Sequence, residues 1–165
     1  MDSKNSIDLR LPKMKTEIYF YRVGDPYGVF SNFYASSFVI DSIRWPTVEH
    51  YFQAHKFHDN ALREKIRHMS SPMDVAKEGR KRSHPLREDW EVVKDDIMRL
   101  AVLEKFKQNE DARKLLLSTG DAHLIEHTIN DNYWADGGDG TGKNMLGIIL
   151  METRASLQKK SKKSE

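Results

Sequence analysis

Glu49 and Lys56 lie on the segment Thr47-Val48-Glu49-His50-Tyr51-Phe52-Gln53-Ala54-His55-Lys56-Phe57, which holds the most suggestive arrangement of reactive side chains in the chain. Wound as an α-helix at roughly 100° per residue, the segment and its continuation bring Glu49, Gln53, Lys56 and Asn60 into a sector of about 60°. Val48, Tyr51, Phe52, Ala54 and Phe57 spread around much of the rest. A narrow polar stripe on a largely apolar helix either faces bulk water or lines a cleft. Glu49 and Lys56 fall about 10 Å apart along the axis, too far for a simple i,i+4 pair but suited to two tips converging on one ligand. A carboxylate and an amine are residue types of proton transfer and covalent catalysis.

A second constellation runs from Asn130 to Asn144. Gly137 to Lys143 fits the spacing GxxxxGK of a phosphate loop, but Asn144 stands where a Ser or Thr would hold magnesium. No hydrophobic strand directly precedes it, and its acidic residues would repel nucleotide phosphate, so a P-loop NTPase is rejected. Two readings remain for the glycines: backbone N–H groups offered to an anion such as diphosphate, or a surface turn that needs positive φ. Trp134 sits in this polar loop, where stacking on a base or sugar would give its indole a purpose.

Other chemistries find no support. Among the seven histidines, His50, His55 and His58 sit close together, yet only His55 and His58 share a helix face; there is no HExxH, and no metal site is expected. His123 and His127, four apart in an expected strand, read as core or surface imidazoles. No GxSxG occurs. The absence of cysteine excludes disulfides, thiolate zinc, iron–sulfur clusters and a cysteine nucleophile, and suits a reducing compartment.

These residues must be positioned by a modest set of elements. Ile18-Tyr19-Phe20-Tyr21 is β-rich, and Ser37–Ile40 and Ile43–Trp45 flank Asp41-Ser42 like a hairpin. Pro46 and Thr47 start a helical stretch that reaches Leu62 to His68 with a break near Asp59-Asn60. Ser71-Pro72 starts another, with Gly79 as its stop. From Asp89 to Lys107, residues Trp90, Val93, Ile97, Leu100, Leu103 and Phe106 recur at helical spacing. A helix from about Asn109 to Ser118, a strand near Leu124–Thr128, and a last helix capped by Asn144 and reaching about Leu157 complete the pattern. The expected fold is α+β: a mainly helical single domain at 17–157 with a small β-sheet drawn from the first third and from 123–128. Residues 1–16 read as a flexible arm and 158–165 as a disordered basic tail.

The chain has 165 residues, the length of one domain. Lys+Arg 27 nearly cancels Asp+Glu 25, and a formal charge of +2 does not announce a nucleic-acid binder. The tail lysines Lys159, Lys160, Lys162 and Lys163 either solubilise the end or add phosphate contacts. The longest strongly apolar run, Met145 to Met151, falls well short of the roughly 18–20 residues that span a bilayer, and the start MDSKNSIDLR has no hydrophobic signal region. No membrane partner is expected, and the cytoplasm, or the nucleus of a eukaryotic cell, is the expected location.

Several long motifs agree in order and spacing with one family. Tyr27-Gly-Val-Phe-Ser-Asn-Phe33, Trp45-Pro-Thr-Val-Glu-His-Tyr-Phe-Gln-Ala-His-Lys-Phe57, Ser70-Ser-Pro-Met73, Ala76-Lys-Glu-Gly-Arg80, Glu126-His-Thr-Ile-Asn-Asp-Asn-Tyr-Trp-Ala-Asp-Gly-Gly138 and Gly142-Lys-Asn-Met-Leu-Gly147 resemble the YbiA-like NADAR (NAD- and ADP-ribose-associated) superfamily. The resemblance covers about residues 17–157. It implies an N-glycosidase: some members hydrolyse ribosylaminopyrimidine phosphates, intermediates of riboflavin synthesis, and others remove ADP-ribose from guanine in nucleic acid. Both substrates join C1 of a ribose to an exocyclic amine.

Carried across by position, Glu49, Asp131 and Trp134 match functional residues of the family, Trp90 a further family tryptophan, and Lys56 the lysine of its Glu-to-Lys helix. Breaking the C1–N bond builds oxocarbenium-like charge, which Glu49 is placed to stabilise, with Asp131 as a further catalytic carboxylate. Lys56 could instead take the ring-opened sugar as a Schiff base. Trp134 or Trp90 would stack on the base. Asn32, Arg80, Asp136, Gly137, Gly138, Lys143 and Asn144 would hold hydroxyls and phosphates. No metal or cofactor is implied. A module that binds ADP-ribose without cleaving it is the non-enzymatic alternative, against which the Glu49 and Lys56 pair argues.

Overall fold

Local start signals set most of the helix boundaries in the computed structural model, which describes residues 16–164. Thr47 accepts a hydrogen bond from His50 N at 3.1 Å and opens α1 (Val48–Ala54); Asp59 accepts one from Leu62 N and opens α2 (Asn60–Arg67). Ser71 followed by Pro72 opens α3 (Pro72–Arg80). The chain continues through α4 (Trp90–Gln108) and α5 (Glu110–Ser118) to α6 (Met145–Lys163). None of these helices is long and apolar enough to cross a membrane.

The strands β1 (Glu17–Phe20), β2 (Phe38–Ile40), β3 (Ile43–Trp45) and β4 (His123–Glu126) form two pairs, so the single small sheet expected from the sequence is divided. β2 and β3 make an antiparallel hairpin around Asp41 and Ser42, whose φ values of 52° and 66° give a two-residue turn matched to strand twist. β1 and β4 are parallel, with Glu17 opposite His123 and Phe20 opposite Glu126. Thr16 extends this pairing by accepting a hydrogen bond from His123 N. The rest of the expected N-terminal arm lies outside the described residues.

Seven residues long and buried at every one, α1 is the centre of the molecule. It packs against α2, α3 and β3 and, on another side, against α4. The core continues through Phe30, Phe38, Phe106, Leu146, Ile149 and Leu150. On α4 the expected stripe holds at buried Trp90 and Phe106, with Val93, Ile97 and Leu103 packed against the core, but Leu100 is 41% exposed and the buried face turns instead through Met98, Ala101, Val102 and Lys105. The cause is a helix wedged between α1 and α6 with Lys105 turned inward. Its ammonium donates to the carbonyls of Val29 and Ser31, and burial pushes its pKa down to about 7.

Two helix ends differ from expectation. Asn144 stands at the N-cap position of α6 but has φ of 54° and makes no side-chain cap. Instead its Nδ2 donates to Leu124 O and its Oδ1 accepts from Glu126 N, so the amide completes the hydrogen bonding of β4. At the other end, α6 continues to Lys163, so the lysine-rich segment expected as a disordered tail from residue 158 is helical.

Gly79 lies one residue before the end of α3 at Arg80, close to the expected stop, and is placed over Gln53 of α1. A Cβ built there would lie 1.9 Å from Gln53 Oε1, so the missing side chain lets the two helices meet. Gln53 Cβ would also lie 3.2 Å from the added carbon, and its Nε2 holds Glu49 Oε1, so relief needs the Gln53 side chain to shift and that bond to break. Gly79→Ala should therefore lower stability by about 1–3 kcal/mol through overpacking, read as a fall in melting temperature. An unchanged or higher melting temperature would show that α1 and α3 are not in this close contact.

Candidate active site

The polar stripe lines a cleft. A cavity of about 730 Å³ opens beside α1, with Glu49, Gln53 and Lys56 on its wall. Asn60 is not among them: α1 ends at Ala54, and Asn60 begins α2 on the surface. The cavity takes its other residues from the Ser31–Phe33 loop, from Met73, Ala76 and Arg80 of α3, and from Met98 of α4. The C-terminal ends of the parallel strands supply Tyr21, Arg22 and Val23 after β1, and Glu126, Thr128, Asn130, Asp131 and Trp134 at and after β4. That edge is where parallel strands commonly present ligand-binding residues.

Backbone and side-chain bonds hold Glu49 in place. Its N–H donates to Asn32 O at 3.1 Å, tying α1 to the Ser31–Phe33 loop, and Gln53 Nε2 donates to its Oε1 at 2.7 Å. Burial raises the Glu49 pKa; the Gln53 hydrogen bond and the charges of Lys56 and Arg80 oppose that rise, while Asp131 adds to it. Lys56 is 9% exposed, with its ammonium 5.6 Å from the ring of Phe52 and 6.0 Å from that of Trp90. Burial pushes its pKa down to about 8, against the pull of Glu49 and with help from Arg82 and Arg80. An amine with that value is partly neutral near physiological pH and can act as a nucleophile.

Asp131 is fixed by its own loop, with one carboxylate oxygen accepting from Tyr133 N and Trp134 N, both at 2.8 Å. Trp134 stands edge-on to Phe52 at 5.2 Å between ring centres. Two polar atoms in the wall have no partner among the described residues: Asn32 Oδ1 and Gln53 Oε1. Such buried orphan acceptors point to a missing donor from water or ligand.

The structure brings six expected site residues to this cavity: Glu49, Lys56, Asp131, Asn32, Arg80 and Trp134. Trp90 lies one layer behind, packed on Phe52 at 5.0 Å. Asp136, Gly137, Gly138, Lys143 and Asn144 do not line it. The glycine loop's amides are already engaged: Gly137 N donates to Asp131 O, Gly138 N to Asp136 Oδ1, Gly142 N to Asp136 O and Lys143 N to Asn132 O. Buried Asp136 organises the loop, accepting also from Thr128 N and pairing with His127 at 2.7 Å. The positive φ values of Gly137, Gly138 and Gly140 and these engaged amides suit the turn reading of the glycines. Lys143 extends over the Tyr133 ring at 5.1 Å.

Sequence reasoning missed Glu126, Arg22, Ser31, Met98 and Thr128 on the wall. Glu126 carried a legible signal, being a carboxylate at the end of the apolar pair Leu124-Ile125. Burial, with Asp131, Glu49 and Asp136 nearby, pushes its pKa up to about 8. The helix histidines are structural. His50 bridges Thr47 and Met69 O, and His55 stacks on Tyr51 at 3.9 Å with its pKa pushed down to about 4 by burial. Among the described residues, no group of three or more His, Asp or Glu side chains is arranged to hold a metal.

The depressed Lys56 pKa has a consequence for stability. Folding disfavours its charged form, so the penalty is full below about pH 8 and fades as pH rises towards the ordinary value of 10.5. Lys56→Met should melt higher than the parent near pH 7, by the equivalent of about 1–2 kcal/mol, with the gap narrowing towards pH 10. A variant that melts lower at pH 7 would show that the ammonium is stabilised in its pocket.

The NADAR domain family model matches residues 19–158. N-glycosidase YbiA of Escherichia coli is 56% identical over 142 residues, covering 86% of this chain and 89% of its own. Its NMR structure superimposes with a TM-score of 0.84 at 51% identity, covering 93% and 92% of the two chains. A riboflavin biosynthesis protein of Vibrio vulnificus is 41% identical over 151 residues, 92% of this chain but 41% of that longer protein. The fold, the matched length and these identities place the chain in the NADAR domain family.

Proposed function

We propose that this chain is an N-glycosidase that hydrolyses the bond between ribose C1 and an exocyclic amine, and that it removes ADP-ribose from guanine in a nucleotide or nucleic acid. One observation carries this reading: Glu49, Lys56 and Asp131 share one cavity with the indole of Trp134, in a chain whose relative YbiA is named an N-glycosidase. The cavity volume of about 730 Å³ falls in the range of small-molecule sites, roughly 300–1,000 Å³. Arg22 and Arg80 on its wall suit a diphosphate, and the orphan acceptors of Asn32 and Gln53 suit ribose hydroxyls.

In the direct route, the C1–N bond breaks with its electron pair leaving on nitrogen, and the positive charge at C1 is balanced by the Glu49 carboxylate. Water then adds its hydroxyl to C1. In the covalent route, the sugar ring opens to an imine, the neutral Lys56 amine adds at C1, and the base amine is expelled. Water hydrolyses the resulting lysine imine and frees the sugar. Asp131 is positioned to take a proton from water in either route, and Trp134 stacks on the departing base.

The name of the Vibrio vulnificus relative favours a second substrate, a ribosylaminopyrimidine phosphate, with the same bond to break. Purified protein should be assayed on both substrates. Glu49→Gln should lose roughly 10²-fold or more in rate with its fold intact, and borohydride during turnover should leave a ribosyl adduct on Lys56. Faster release of free aminopyrimidine than of guanine would favour the second substrate. Activity of Glu49→Gln within a few-fold of the parent contradicts the assignment.

A further inference from the structure

Cleavage of a C1–N bond leaves an amine that departs far more readily once protonated, and neither Glu49 as a carboxylate nor Lys56 as a neutral nucleophile supplies that proton. We infer that Glu126 is the general acid of this site, protonating the leaving amine nitrogen while Glu49 acts on the sugar. The inference rests on the N-glycosidase reading.

Three carboxyl side chains, Glu49, Asp131 and Glu126, line one cavity that also holds Lys56, Arg22 and Arg80. Carboxylates crowded into one partly dry space do not all ionise, and the one with least support keeps its proton. Hydrogen bonds provide that support unequally. Gln53 Nε2 donates to Glu49 and two backbone amides donate to Asp131, whereas Asp136, the acid behind the loop, is held by His127, Thr128 and Gly138. The backbone of Glu126 is rigidly held, its N–H by Asn144 Oδ1 and its carbonyl by Asp136 N, yet no donor among the described residues serves its carboxyl. Glu126 is thus an acid carried on a fixed strand end, facing acids from α1 and the following loop, and its raised pKa agrees with this placement.

The step balances in either route. The Glu126 carboxyl gives its proton to the exocyclic nitrogen as the C1–N electron pair moves there. Water adds hydroxide to C1, or to the lysine imine carbon, and its remaining proton, taken up by Asp131, passes back to restore Glu126. The Asn144 amide, which does not reach the substrate cavity, becomes a positioning group for this acid.

The test compares leaving groups and pH. Glu126→Gln keeps the shape of the side chain but cannot deliver this proton. On a ribosylated amine it should lose roughly 10²-fold or more in kcat/KM, as expected for removal of a general acid. On 4-nitrophenyl riboside 5-phosphate, whose phenolate leaves without a proton, it should stay within a few-fold of the parent. The parent should also show a rate that falls above about pH 8 on the amine substrate, and this descending limb should vanish in Glu126→Gln. Equal losses on both substrates, or a parent profile with no descending limb between pH 7 and 9.5, overturn the inference. If the parent cleaves the amine but not the nitrophenyl substrate, the limb alone decides. A folded parent that cleaves no ribosylated amine instead defeats the N-glycosidase reading itself.

Discussion

Burial of α1 on every side is the constraint on which the site depends. A seven-residue helix has little stability of its own, and here its packing against α2, α3, α4 and β3 holds it. That packing takes Glu49, Gln53 and Lys56 out of bulk water and leaves the cavity as their remaining opening. Thr47 caps the start of the helix, Asn32 O receives the Glu49 amide, and Gly79 permits the approach of α3 over Gln53. Each of these contacts is remote from the reacting bond and still fixes where the Glu49 carboxylate lies.

Desolvation then sets the chemistry. It pushes Lys56 towards neutrality and raises the pKa values of Glu49 and Glu126 in the same small volume. The three acids differ in their hydrogen bonds: Gln53 serves Glu49, loop amides serve Asp131, and no donor among the described residues serves Glu126. Neighbouring groups pushed to different protonation states are the arrangement that acid–base chemistry needs at neutral pH. Aromatic rings of Phe52, Trp90 and Trp134 supply the low-dielectric wall that makes those shifts possible.

Much of this was legible in the sequence. Start signals at Thr47 and Ser71 mark real helix starts because their side chains bond the first free amides locally, and the expected break near Asp59-Asn60 is where Asp59 caps a new helix. The polar stripe of α1 pointed to Glu49, Gln53 and Lys56, and the family motifs added Asp131, Trp134, Asn32 and Arg80. What could not be read locally was decided by tertiary partners. Gly79 stands near the end of α3 but also serves as a packing contact, and Asn144 stands at a cap position but bonds β4. The glycine loop resembles an anion cradle by spacing, yet Asp136 already occupies it. Glu126 escaped notice because its importance comes from β4 lying parallel to β1, a pairing across most of the chain.

In the proposed reaction, the cavity beside α1 holds the ribose between Glu49 and Lys56. A crystal structure of the protein soaked with ADP-ribose tests it most directly. Ribose C1 should lie within roughly 3–3.5 Å of a Glu49 oxygen or of Lys56 Nζ, with the diphosphate turned towards Arg22 or Arg80. ADP-ribose ordered instead against the Gly137–Lys143 loop, with no sugar beside Glu49 or Lys56, would contradict it.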